Sequence, residues 1–106
     1  MSKHILEQLD DVVNERSSQS PEVSYVAALF DKGLEKIQKK VNEESLEAIL
    51  AAEGEDRQAL VSEVADLWFH SIVLLAYKNA SVGEVINELE RRFGVSGIEE
   101  KASRTR

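Results

Sequence analysis

LEKIQKKVNEESLEAILAA at residues 34–52, EGED at 53–56 and RQALVSEVADLWFHSIVLLAYKN at 57–79 are the segments that decide the fold. In the first, Leu34, Ile37, Val41, Ala48, Ile49 and Ala52 recur at helical spacing on one side, which predicts a long amphipathic helix ended by Glu53-Gly54-Glu55. In the third, Asp56 is placed to cap a helix running to about Asn79, with Leu60, Val64, Leu67, Trp68, Ser71, Ile72 and Leu75 on a broad apolar face. Its second half, Leu67 to Tyr77, is apolar almost all round, so it should be covered both by its own chain and by a second subunit. The short connection makes the two helices antiparallel neighbours.

The flanking sequence is also helical. Ile5, Leu6, Leu9, Val12 and Val13 predict a first helix with Ser2 as N-cap, closed before the polar run Ser17-Ser18-Gln19-Ser20. Ser20-Pro21-Glu22 reads as the start of a short helix from Glu22 to Lys32, which Gly33 either ends or bends onward. Ser81-Val82-Gly83-Glu84 is a capping box that opens a last helix through Val85, Ile86, Leu89 and Phe93, with Gly94 as its stop and a charged tail over 95–106. The expectation is one all-α domain over residues 1–106, built from about five helices.

Composition narrows the function. Thirteen Lys and Arg against twenty Asp and Glu give a formal charge of -7, which argues against a nucleic-acid binder that works by neutralising phosphates. With no Cys and two His, thiolate and His-rich metal sites are excluded, and a cytoplasmic setting fits. The start, Met1-Ser2-Lys3-His4, leads into charged residues rather than a leader's apolar run. Leu67 to Tyr77 is too short an apolar stretch to span a bilayer, so no membrane partner is expected. A chain of 106 residues gains much from self-association, which points to a homodimer.

The carboxylates are the candidate chemistry. Lys36, Lys40, Glu43, Glu44 and Glu47 fall within a stripe roughly 100° wide beside the apolar face, and Glu63, Asp66 and His70 within about 60° on the next helix. Antiparallel packing brings five carboxylates toward one groove, where their repulsion costs stability unless cations occupy it. Such oxygen ligands select Mg²⁺, Mn²⁺ or Ca²⁺. A solvated acidic face is the alternative. Lys36 and Lys40 could reach phosphates, or pair with Glu43 and Glu44 instead. His70 could support a metal-bound acid, although an ordinary interior or interface His is the leading explanation, and Trp68 and Phe69 read as core or dimer packing rather than an adenine platform. Arg91 and Arg92 fit either basic contacts or a charged helix end. Tyr25 either packs or binds substrate.

Glu43-Glu44-Ser45-Leu46-Glu47 followed by Glu63-Val64-Ala65-Asp66 resembles the EExxE and ExxD signature of the all-α nucleoside triphosphate pyrophosphohydrolases of MazG type. Ser24-Tyr25, Lys32-Gly33-Leu34 leading to Ile37 and Lys40, Ala65-Asp66-Leu67 with His70, Glu88-Leu89 with Arg91-Arg92, and the stretch from Gly97 to Arg104 together resemble the phosphoribosyl-ATP pyrophosphatase family of histidine biosynthesis. The resemblance covers roughly Leu6 to Arg104; one departure is Asn42, where that family commonly has Gly.

It implies a helical dimer with four-helix-bundle-like cores and Mg²⁺-dependent hydrolysis of N1-(5-phosphoribosyl)-ATP, a nucleotide, to N1-(5-phosphoribosyl)-AMP and pyrophosphate. It places metal on Glu44, Glu47, Glu63 and Asp66, and catalysis on Glu43 and Glu47. Substrate contacts are expected from Lys36, Lys40, Tyr25, Arg91, Lys101 and Arg104, with Lys101 and Arg104 resting on the resemblance alone, and His70 behind the metal ligands. A housekeeping (d)NTP pyrophosphohydrolase and a non-catalytic helical dimer are the alternatives.

Overall fold

In the computed structural model, residues 4–93 are described; Ser2, Gly94, the tail at 95–106, and with it Lys101 and Arg104, lie outside them. The described residues form α1 (Ile5–Ser17), α2 (Tyr25–Lys32), α3 (Leu34–Glu53), α4 (Arg57–Tyr77) and α5 (Val82–Arg92), with no strand among them. The all-α expectation holds, and α3 and α4 form the antiparallel pair that the Gly54 break and Asp56 cap predict. Ala59 N–H donates to Asp56 Oδ1 at 3.1 Å. In the capping box of α5, Glu84 N–H donates to Ser81 Oγ at 3.2 Å and that hydroxyl donates to Glu84 Oε2 at 3.1 Å.

Several helix ends differ from the sequence reading, α1 running on through Ser17 and α5 stopping at Arg92. α2 starts at Tyr25 rather than Glu22, because residues 20–23 close a turn in which Val23 N–H donates to Ser20 O at 3.0 Å. The cap is Ser24, whose Oγ accepts from Ala27 N–H and donates to Arg16 O at the end of α1, each at 3.1 Å. That hydroxyl joins two helices, which Ser20 does not. At α1, His4 Nδ1 takes the capping bond from Leu6 N–H at 3.2 Å. α4 stops at Tyr77 because Asn79 adopts φ 61, so Ala80 N–H returns to Leu75 O at 2.8 Å and Asn79 N–H to Ala76 O at 3.0 Å. This pair of bonds is a Schellman closure. Gly33, at φ 96 and ψ -175, joins α2 to α3 in backbone space open essentially to Gly alone.

The core gathers at one end of the α3–α4 pair. Val13, Val26, Leu29, Ile37, Val73 and Val82 are buried there, where α1, α2 and the start of α5 meet the hairpin. Val82 N–H also donates to Asp10 Oδ2 at 2.8 Å, fixing the first turn of α5 to α1. At the other end no third helix among the described residues covers α3 and α4, and Leu46, Ile49, Leu50 and Val61 are each more than half exposed. Trp68, expected in packing, is 53% exposed in the protomer. With α4 so apolar, it is the one helix among the described residues long and hydrophobic enough to cross a membrane, with an 18-residue stretch of mean hydropathy 1.5. The sequence reading excluded any such span from Leu67 to Tyr77 alone. The full helix from Arg57 takes in that segment and carries Glu63 and Asp66 ahead of it.

Candidate active site

Glu44 on α3 and Glu63 and Asp66 on α4 present carboxylate oxygens that all lie within 4.8 Å of one another. The cluster stands midway along the hairpin, between the core and the uncovered arms. Its spacing follows from the helix: Glu63 and Asp66 are three residues apart on one face, and the facing turn of α3 brings in Glu44. Glu44 is buried at 7%, Glu63 half-buried and Asp66 exposed. Glu44 Oε2 and Glu63 Oε2 are buried with no hydrogen-bond partner among the described residues, a costly arrangement for carboxylates. A hard divalent cation removes both costs, so the donor set fits Mg²⁺ or Mn²⁺.

The other expected residues divide around this cluster. Glu43 is half-buried and accepts from Lys40 Nζ at 3.4 Å, and the same ammonium lies 3.5 Å from Glu44 Oε1. The ion-pair alternative for Lys40 is therefore realised in the structure. Burial alone would lower the Lys40 pKa, but Tyr25, Glu43 and Glu44 outweigh it and hold the ammonium above its usual range. Lys36 stands one turn before Lys40 on the same helix, half-buried. Glu47 is exposed one turn beyond Glu44 and is not part of the close cluster, so three of the five carboxylates expected in one groove converge. Arg91 belongs to a surface group on α5 in which Arg91 and Arg92 both donate to Glu88, at 2.6 and 2.7 Å, holding its carboxyl down at about 2.

Tyr25 and His70, considered separately in the sequence, come together. The Tyr25 hydroxyl and His70 Nε2 are 2.8 Å apart, and His70 Nδ1 is 2.8 Å from the main-chain oxygen of Asp66. Phe69 packs beside both rings. Burial raises the Tyr25 pKa against the pull of Lys40, with Glu44, Glu43 and Asp66 adding to the rise. The phenol thus stands within the field of the acidic site. This pairing is what reading the residues one at a time misses.

An all-helical pair that brings EExxE and ExxD acids together agrees with a match over residues 6–93 to the phosphoribosyl-ATP pyrophosphohydrolase family. The chain belongs to this family. It is similar to the phosphoribosyl-ATP pyrophosphatase of Hydrogenovibrio crunogenus, 50% identical over all of this chain and 97% of that protein. The phosphoribosyl-ATP pyrophosphatases of Ruthia magnifica and Chromobacterium violaceum are each 47% identical, over 94% and 98% of this chain and 95% and 96% of their own lengths. The phosphoribosyl-ATP pyrophosphohydrolase family has the all-α MazG-type fold, and the five helices here are that fold. Its match includes every acid of the cluster as well as Tyr25 and His70.

Proposed function

We propose that this chain hydrolyses N1-(5-phosphoribosyl)-ATP at the α–β phosphoanhydride, giving N1-(5-phosphoribosyl)-AMP and pyrophosphate, the second step of histidine biosynthesis. The observation that carries this reading is the convergence of Glu44, Glu63 and Asp66 in a chain matched to the family over residues 6–93. These three carboxylates, with Glu47 one turn along α3, hold the divalent cation, Mg²⁺ or Mn²⁺. When bound, the cation supplies charge neutralisation at the phosphates and acidity for the attacking water.

The remaining steps belong to the chain. Glu43, held by a hydrogen bond from Lys40, orients the attacking water. Lys36 and Lys40 face the phosphates from α3, Lys40 exchanging its acid partners for phosphate oxygens. Tyr25 contacts the substrate, and Arg91, Lys101 and Arg104 supply further positive charge to the pyrophosphate. The active form is a homodimer in the cytoplasm, joined over the apolar groove that Leu6, Trp68, Leu75, Val85 and Leu89 line between α1, α4 and α5. That groove would otherwise present a contiguous apolar patch to water.

Incubation with phosphoribosyl-ATP and a panel of NTPs and dNTPs in Mg²⁺, with pyrophosphate release as readout, tests the assignment. The expected kcat/KM for phosphoribosyl-ATP exceeds that for ATP or any dNTP by at least about tenfold, about 1.4 kcal/mol of transition-state binding. Equal or better turnover of dNTPs assigns the chain to housekeeping nucleotide hydrolysis instead.

A further inference from the structure

The hydrogen bonds at Tyr25 run in one direction. A main-chain carbonyl only accepts, so His70 Nδ1, 2.8 Å from Asp66 O, carries the ring proton and donates it. In the neutral imidazole Nε2 is then an acceptor, and the Tyr25 hydroxyl 2.8 Å away donates to it. The chain of donors runs from Tyr25 to His70 to the backbone of Asp66, across 45 residues of sequence. Packing fixes the same arrangement. His70 is buried at 6% and meets the phenol edge-on at 5.7 Å between centroids, while Phe69 lies beside it at 6.4 Å and an interplanar angle of 22°. Tyr25 itself is 52% exposed and stands beside the acidic site, whose Lys40, Glu44, Glu43 and Asp66 charges act on its phenol.

This direction selects what Tyr25 can bind. Its single hydrogen is committed to His70, leaving only lone pairs for a ligand. Ionised phosphate oxygens are also acceptors and have nothing to offer those lone pairs. A nucleotide whose phosphates lie against the carboxylate cluster next presents its ribose, whose hydroxyls are donors.

We propose that Tyr25 accepts a hydrogen bond from a ribose hydroxyl of the nucleotide and discriminates against phosphate at that position, and that His70 is the positioning residue that imposes this polarity by anchoring the phenol to the backbone of Asp66. The inference rests on the nucleotide pyrophosphohydrolase reading of the site and adds which end of the substrate each side of the pocket reads.

Tyr25→Phe keeps the ring beside Phe69 and removes only the hydroxyl. The expected result is a KM for phosphoribosyl-ATP about fivefold to tenfold higher, with kcat within about twofold and the Ki of the product pyrophosphate unchanged. Wild type should bind ATP more tightly than 2′,3′-dideoxy-ATP in competition, and Tyr25→Phe should bind the two equally. His70→Phe should raise KM similarly, and the double variant should be no worse than Tyr25→Phe alone, since His70 acts through the hydroxyl. An unchanged KM in Tyr25→Phe, a pyrophosphate Ki that rises in step with KM, or additive effects in the double variant would overturn the proposal. Should His70→Phe fail to fold, the Tyr25→Phe comparison decides alone. A wild type that hydrolyses an ordinary NTP and not phosphoribosyl-ATP overturns the substrate assignment, while the same KM comparison on that NTP still decides the role of Tyr25.

Discussion

Replacing Asp66 by Asn removes one negative charge from the cluster and changes little else in shape. Its carboxylate lies within 4.8 Å of both Glu44 and Glu63 oxygens. Two like charges at that distance repel by about 0.9 kcal/mol in water and about 3.5 kcal/mol at an effective dielectric near 20. Because Asp66 is exposed, the water-like figure governs; two neighbours give about 2 kcal/mol, which salt reduces to about 1 kcal/mol. The new amide also offers N–H groups to Glu44 Oε2 and Glu63 Oε2, which have no partner among the described residues. Asp66→Asn should therefore melt about 4 °C above wild type in the absence of divalent cations. Mg²⁺ at tenfold excess over its Kd should stabilise wild type by about 1.4 kcal/mol and the variant by much less, with NaCl at matched ionic strength reproducing neither result. Pyrophosphate release should fall to near background. A variant that melts below wild type without Mg²⁺, or that gains as much from Mg²⁺ as wild type does, would refute the reasoning.

Gly33→Ala should cost about 1 to 3 kcal/mol in urea unfolding, because φ 96 is strained for any side chain while the nearest atom to the new Cβ, Tyr77 Oη at 3.7 Å, leaves room for it; an unchanged midpoint would mean that the junction relaxes freely. Glu88, held at about 2 against an ordinary 4.5, contributes stability that is complete above pH 4.5 and fades as pH falls toward 2, so a carboxyl NMR titration should find its midpoint near the lower value and Arg91→Gln should move it upward. Trp68→Glu and Leu89→Asp, at positions 53% and 60% exposed, should give monomers of unchanged helix content in light scattering, and a monomeric wild type would remove the dimer from the proposed function.

The hairpin was legible because its signals are local. Apolar residues at helical spacing, Gly54 as a breaker and Asp56 as a cap each act within a few residues, and the structure follows them. The start of α2 was not legible for the opposite reason. Ser20-Pro21-Glu22 has every local mark of a helix start, yet Ser24 prevails through its bond to Arg16 O on α1, a contact that no window around α2 contains. The acids show the same division. Helical arithmetic places Glu44, Glu63 and Asp66 on facing stripes, but how far Glu47 lies from them depends on how the two helices are set against each other, which periodicity leaves open. Tyr25 and His70 were each visible as candidates. Their bond was not, since it depends on α2 crossing the hairpin at the level of Asp66.

The acids on α4 have a second consequence, at the moment of synthesis. By length and composition alone, the apolar 18-residue stretch of α4 is of the kind that machinery sorting nascent chains by greasiness responds to. Asp66 lies near its centre, where a carboxylate raises the cost of entering lipid by about 3 kcal/mol, and Glu63 stands one turn away. The charges that make the site expensive to fold also keep its helix in water before it has folded. On the proposed function, turnover and exclusion from lipid therefore draw on the same two side chains, and Asp66→Leu should expose both at once: a protein without turnover, and a hairpin with an affinity for bilayers.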